Sequence, residues 1–121
     1  MKRILVVEDE RMMRKVIEFR LKKDGYDVYA VEDGKEACAK FEEIQPDLVL
    51  TDIMMPYVSG LELIDFIRNK KASNTPIIML SAVGLEKTVV EAFELGADDF
   101  ITKPFSPEEL TIRVKKHLLR K

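Results

Sequence analysis

The stretch DLVLTDIMMP, residues 47–56, decides how the rest of the chain is read. Pro46 stops whatever precedes it, and Asp47–Asp52 forms a short apolar run ending on an acid. A run this short, apolar at consecutive positions, reads as a strand covered on both faces. Asp52 then leads into a proline-containing turn. The same unit recurs outward in both directions. Lys2–Val7 (KRILVV), Tyr26–Val31, Pro76–Ser81 (PIIMLS) and Asp98–Thr102 read as four further strands. Amphipathic stretches alternate with them. Glu10–Lys23 places Met13, Ile17 and Leu21 on one helical face, and Gly25 supplies its C-terminal cap. Asp33 and Glu36 open a helix with Ala37, Phe41 and Ile44 inward, and Ser59 with Glu62 opens another carrying Leu61, Ile64 and Ile67. Glu86–Leu95 is closed by Gly96. Ser106-Pro-Glu-Glu109 starts the last helix, whose buried face is Leu110, Val114 and His117/Leu118. Five strand–helix pairs in strict alternation predict an α/β fold: a doubly wound, five-stranded parallel sheet with right-handed crossovers and helices on both faces.

Composition agrees and excludes several classes. The chain has 121 residues, 46% apolar and 35% charged, enough to build one domain over residues 1–121 and to exclude wholesale disorder. Twenty basic against twenty-two acidic residues leave a net charge of -2, which provides no electrostatic footprint for nucleic acid. The apolar runs are too short to span a membrane, and the N-terminus has no signal-peptide regions. Cys38 is the single cysteine, so no internal disulfide forms, in keeping with a reducing cytoplasm.

In parallel sheets of this kind, ligands bind beyond the carboxyl ends of the strands. The residues leaving the strands there are Glu8, Asp9 and Glu10, then Asp52, Ser81 and Lys103. Each alone has a commonplace role: acids complement a helix N-terminus, Asp and Ser suit turns, and a lysine can be a solvated loop cation. Their coincidence at one predicted pocket has a chemical logic. Asp9 and Asp52 brought together would repel, and a hard divalent cation such as Mg²⁺ relieves that repulsion. The Met54 carbonyl, just past Asp52, can complete the protein ligands. A carboxylate so placed can attack phosphorus and form an acyl phosphate, with Lys103 supplying a point charge to the phosphoryl oxygens and Ser81 a donor. Consecutive acids after the first strand repel a nucleotide phosphate, and no glycine-rich phosphate-binding motif is present.

VVEDE (Val6–Glu10), DIMMP (Asp52–Pro56), LSA (Leu80–Ala82) and KPF (Lys103–Phe105) together resemble the receiver domain of two-component response regulators, over essentially the whole chain. The resemblance implies the flavodoxin-like strand order 2-1-3-4-5, as in single-domain chemotaxis-type receivers. It implies Asp52 as phosphoacceptor, with Mg²⁺ bound by Asp9, Asp52 and the Met54 carbonyl, and by Glu8 through water. It also implies Lys103 paired with the phosphoryl group and a cis bond before Pro104. Ser81 and Phe100 would form the switch, Ser81 moving toward the phosphoryl and Phe100 turning inward behind it. The face that changes would be the fourth helix, fifth strand and fifth helix. The implied partners are a sensor histidine kinase or phosphotransfer protein, with a homodimer through that face, an output domain or an effector as further options. The role is signalling rather than enzymatic turnover, with slow self-dephosphorylation.

Several positions depart from the common pattern. Glu8 stands where aspartate is more usual. Phe100 stands where tyrosine is frequent, so steric coupling remains without a hydroxyl. Tyr57-Val58-Ser59 replaces a stretch that often carries an acid before Gly60. Met54 and Val83 put apolar side chains near the expected path of attacking water, which implies a long-lived acyl phosphate. Cys38 reads as a packing residue. His117 reads as neither phosphodonor nor ligand, because no acid or cysteine lies near it in sequence. Two rival readings stay open. A Mg²⁺-dependent phosphohydrolase would need an acid two residues after its nucleophile, where this chain has Met54. A pseudo-receiver acting by contacts alone would not need Asp52, Ser81 and Lys103. No further domain is expected after Lys121, so the chain reads as a stand-alone receiver or as one trimmed at its last helix.

Overall fold

The computed structural model describes residues 1–55 and 57–119. Pro56, the last residue of DIMMP, and the terminal Arg120 and Lys121 lie outside the described residues. Strands β1 (Arg3–Val7), β2 (Asp27–Val31), β3 (Leu48–Asp52), β4 (Ile77–Ala82) and β5 (Asp99–Lys103) alternate with helices α1 (Arg11–Lys23), α2 (Gly34–Ile44), α3 (Gly60–Asp65), α4 (Glu86–Leu95) and α5 (Pro107–Leu119). All pairings are parallel, and the strand order is β2-β1-β3-β4-β5. This is the flavodoxin-like arrangement that the resemblance implies.

Side chains alternate across a strand, so each strand feeds two cores. Ile4, Val6, Leu48, Leu50, Ile78 and Leu80 face Ile17 and Leu21 of α1 and Leu110 and Val114 of α5. Leu5, Val7, Val49, Ile77 and Met79 face α2, α3 and α4, meeting Phe41, Leu63, Ile64 and Ala92. The consecutive apolar residues of the central strands are thus required by cover on both sides. Among the described residues, no helix is long and apolar enough to cross a membrane.

Helix entries follow the capping chemistry in the sequence. The Ser59–Glu62 pair forms a complete capping box. Asp33 accepts the Glu36 N–H, and Ser106 Oγ accepts the Glu109 N–H. One departure concerns the third helix. Its periodicity predicts an uninterrupted helix through Ile67, whereas α3 ends at Asp65 and Phe66–Lys70 continues as a wider π-helical turn. Arg68 on that turn reaches the carbonyls of Gly96 and Ser73 and the Asp98 carboxylate, at 2.8–2.9 Å. These acceptors lie 5 to 30 residues away, so periodicity within the helix carries no trace of them.

The strand order reverses between β1 and β3, and Val7 pairs with Thr51 in register. Glu8 and Asp52 therefore leave adjacent strands side by side, at the crevice where this topology places ligands. Gly60 fixes the other wall. Its N–H donates to the Ile53 carbonyl at 2.7 Å, and a Cβ there would meet Asp52 O at 2.5 Å and Ile53 Cα at 2.7 Å. These are backbone atoms that cannot swing aside. Gly60→Ala is expected to lower stability by about 2 kcal/mol, read as a reduced urea midpoint with unchanged m.

Candidate phosphoacceptor pocket

Glu8 is fully buried and Asp52 is 8% exposed, two acids at the end of an apolar sheet. Lys103, carried to the same point by β5, answers them. Its Nζ lies 2.8 Å from Glu8 Oε1 and 3.0 Å from Asp52 Oδ2. Nζ donates a hydrogen bond to Asp52. Glu8 Oε1 completes no aligned hydrogen bond, so only the ion-pair attraction compensates this buried oxygen. Glu8 Oε2 accepts the Glu10 N–H at 3.0 Å, and Arg14 holds the Glu8 carbonyl at 2.9 Å. The Lys103–Pro104 peptide bond is cis.

Asp9 is exposed at the mouth, and one carboxylate oxygen each from Glu8, Asp9 and Asp52 lie within 4.8 Å of one another. The three consecutive acids after β1 therefore divide. Glu10 is the N-cap of α1, accepting the N–H groups of Met12 and Met13, while Glu8 and Asp9 line the pocket. The donor set fits a hard cation: anionic oxygens from two strand ends, one of them buried without a hydrogen bond. Met54 follows in the β3–α3 loop with its side chain 60% exposed.

Burial raises the Asp52 carboxyl to about 7, the Lys103 ammonium pulls it back only in part, and the Glu8 charge adds to the rise. Burial alone would lower Lys103, but the Glu8 and Asp52 carboxylates outweigh it and hold its pKa above the ordinary value. A carboxyl with a pKa near 7 is only partly ionised at neutral pH, and added positive charge would favour its ionised form.

Among the described residues, neither Ser81 nor Phe100 hydrogen-bonds to these carboxylates. Ser81 is buried, and its hydroxyl donates to the Ala82 carbonyl at 3.1 Å. Phe100 points outward, 37% exposed, with its ring edge-on to Phe93 of α4. Met54, Tyr57 and Val83 are exposed. Cys38 is half-buried beside the α2–α3 core, its thiol pKa raised by burial.

His117 lacks a nearby acid in sequence but not in space. It does have an acid partner: Nε2 lies 2.9 Å from Asp99 Oδ2, supplied from β5, 18 residues back. Asp99 also accepts from the Phe100 N–H and from Arg113, both at 2.8 Å. Burial would raise the Asp99 carboxyl, but the hydrogen bond from His117, with those from Phe100 and Arg113, outweighs burial and leaves it below its ordinary value. Arg113 lies one helical turn before His117, but the acid they share comes from β5, so only the β5–α5 crossover creates the cluster.

A family model for the response regulator receiver domain matches residues 4–115. The chain belongs to the response regulator receiver family. Its neighbours among solved structures agree. The receiver domain of Francisella response regulator 1452 is 36% identical, with 99% of this chain and 98% of that chain covered and a TM-score of 0.91. The chemotaxis response regulator CheY4 of Vibrio cholerae is 30% identical, covering 97% and 98%, at a TM-score of 0.90. NtrX from Brucella abortus is 32% identical at a TM-score of 0.92, covering 98% of this chain but 27% of that longer one. Receiver domains are signalling modules, and the acidic cluster of Glu8, Asp9 and Asp52 lies where the fold places its ligand crevice.

The raised Asp52 carboxyl has a consequence for stability without metal. Between pH about 4 and about 7 the folded protein holds a proton that the unfolded chain has released. That contribution is present at low pH and is lost as pH rises through about 7. The raised Lys103 acts only at alkaline pH and the lowered Asp99 only in acid, so neither competes in this window. In EDTA, wild type is expected to lose stability between pH 5 and 8 by a few kcal/mol, on the order set by that shift. Asp52→Asn should show a flatter profile and be the more stable protein at pH 8, as urea denaturation at each pH would reveal.

Proposed function

We propose that this chain is a phosphorylation-activated switch of a two-component system, with Asp52 as its phosphoacceptor. One observation supports this above the others: Lys103 Nζ lies between Glu8 and Asp52, with the Asp9 carboxylate in the same cluster. Residues 1–121 are taken as one receiver domain acting in the cytoplasm. The phosphoryl donor is a phosphohistidine on a sensor histidine kinase or phosphotransfer protein. An Asp52 carboxylate oxygen forms the new P–O bond as the donor's P–N bond breaks, and the imidazole leaves with the bonding pair and takes up a proton.

Mg²⁺ is the cofactor in this reading, held by Asp9, Asp52 and the Met54 carbonyl, with Glu8 acting through water. When bound it neutralises charge on the transferring group. Lys103 keeps its hydrogen bond to Asp52 in the resting protein and turns to a phosphoryl oxygen once that group is attached. Glu8 holds the ammonium within reach. Ser81 exchanges its bond to the Ala82 carbonyl for one to the phosphoryl. Phe100 then turns into the space behind it, altering the face of α4, β5 and α5. That face is the one offered to an effector, an output domain or a second copy. The longer NtrX chain is one relative in which a receiver forms part of a larger protein.

The phosphohydrolase reading lacks its proton shuttle, since Met54 occupies the position two residues after Asp52. A pseudo-receiver would have no use for two acids buried at the price of a compensating lysine. Incubation with acetyl phosphate and Mg²⁺ should add one phosphoryl group by intact mass, and none with EDTA or in Asp52→Asn. An unmodified wild-type mass would remove the phosphoacceptor reading.

The lifetime of the adduct follows from the mouth of the pocket. Met54 is 60% and Val83 78% exposed there, and neither side chain orients or activates water. A time course of dephosphorylation should show slow decay in wild type. Met54→Asn, which adds a polar group to orient water, is expected to shorten it several-fold, and equal decay in the two proteins would reject this role for Met54.

A further inference from the structure

The geometry points to Phe93 as the positioning residue that holds Phe100 in its outward, resting rotamer. This inference rests on the proposed role of Phe100 as the switch residue. The backbone at Phe100 is fixed from both sides: its N–H donates to Asp99 Oδ1 at 2.8 Å and its carbonyl accepts from Arg113 at 3.0 Å. Motion there is therefore confined to the side chain, and what each rotamer touches sets the balance between them. Outward, the ring meets Phe93 edge-to-face, with centroids 6.0 Å apart and planes at 80°. Beside it lies a mainly apolar, half-open cavity of about 320 Å³, lined by Phe100, Thr102 and Ser81 with Val83, Leu85 and Val89, into which the ring would turn. A cavity of that size is ample for an aromatic ring.

Phe93 belongs to the helix least tied to the rest of the fold. Helix α4 buries only Ala92, whereas α2 and α5 each bury four residues, and Leu85 gives it no side-chain cap. The pair of rings joins this lightly buried helix to β5. It opposes inward rotation until a phosphoryl group draws Ser81 away. An aromatic pair of this geometry shifts a two-state balance roughly two- to tenfold. Beryllium fluoride with Mg²⁺, which mimics the phosphoryl group, must pay for the fraction of molecules already competent to close.

The test places 4-fluorophenylalanine at position 100 of the whole chain and follows its ¹⁹F spectrum, together with beryllium fluoride affinity. Phe93→Ala should raise the inward population of the unliganded protein and tighten beryllium fluoride binding, each roughly two- to tenfold. Phe93→Tyr, which keeps the ring, should match wild type in both. A purely structural weakening of α4 would not tighten ligand binding. Wild-type and Phe93→Ala proteins with equal populations and affinities would overturn the role of Phe93. A wild-type ¹⁹F signal that beryllium fluoride leaves unmoved would instead overturn Phe100 as the switch, and the inference with it.

Discussion

Two carboxylates sunk at the end of an apolar parallel sheet have to be answered by positive charge, and most of this pocket follows from that demand. Glu8 is wholly buried and Asp52 nearly so. In such surroundings a lone carboxylate gives up its charge before it gives up its water. Lys103 supplies one positive charge to both, at 2.8 and 3.0 Å. One ammonium against the carboxylates of Glu8, Asp9 and Asp52 leaves excess negative charge. That excess favours a cation in the pocket, while burial first, and the Glu8 charge after it, raise the Asp52 carboxyl to about 7.

The rest of the fold holds that arrangement in place. Strands β1 and β3 are neighbours at the reversal of strand order, so Glu8 and Asp52 emerge together. Strand β5 lies at the sheet edge beyond β4, and Lys103 spans the remaining distance with its flexible stem. Gly60 lets α3 close directly on the Asp52–Ile53 backbone. The two cores make the strand ends rigid, while α4, with one buried residue, is left as the element easiest to shift. A rigid receptor for charge beside a lightly anchored helix is a sound physical basis for a switch.

Much of this was legible in the residues because local patterns carry it. Apolar runs bounded by Pro46 or Gly25 mark strands and helix ends, and strict alternation fixes a parallel sheet. The rule that ligands lie beyond carboxyl strand ends then selects Glu8, Asp9, Glu10, Asp52, Ser81 and Lys103 without coordinates, and it cannot tell that Glu10 caps α1. What escaped depends on contacts made only by folding. The π-helical turn at Phe66–Lys70 accompanies Arg68 reaching Gly96 and Asp98. The Asp99–Arg113–His117 cluster needs β5 and α5 packed together. Neighbouring acids with the same chemistry, Glu8 and Glu10, take different tasks because one points into the sheet end and the other caps α1.

The most direct measurement is chemical location of the phosphoryl group. Protein treated with acetyl phosphate and Mg²⁺ is reduced with borohydride, which converts an acyl phosphate to an alcohol, and then mapped by peptide mass spectrometry. The expected result is a single modified carboxylate at residue 52, lost in Lys103→Met or with EDTA. Modification at another acid, or undiminished modification without metal and lysine, would contradict the shared pocket.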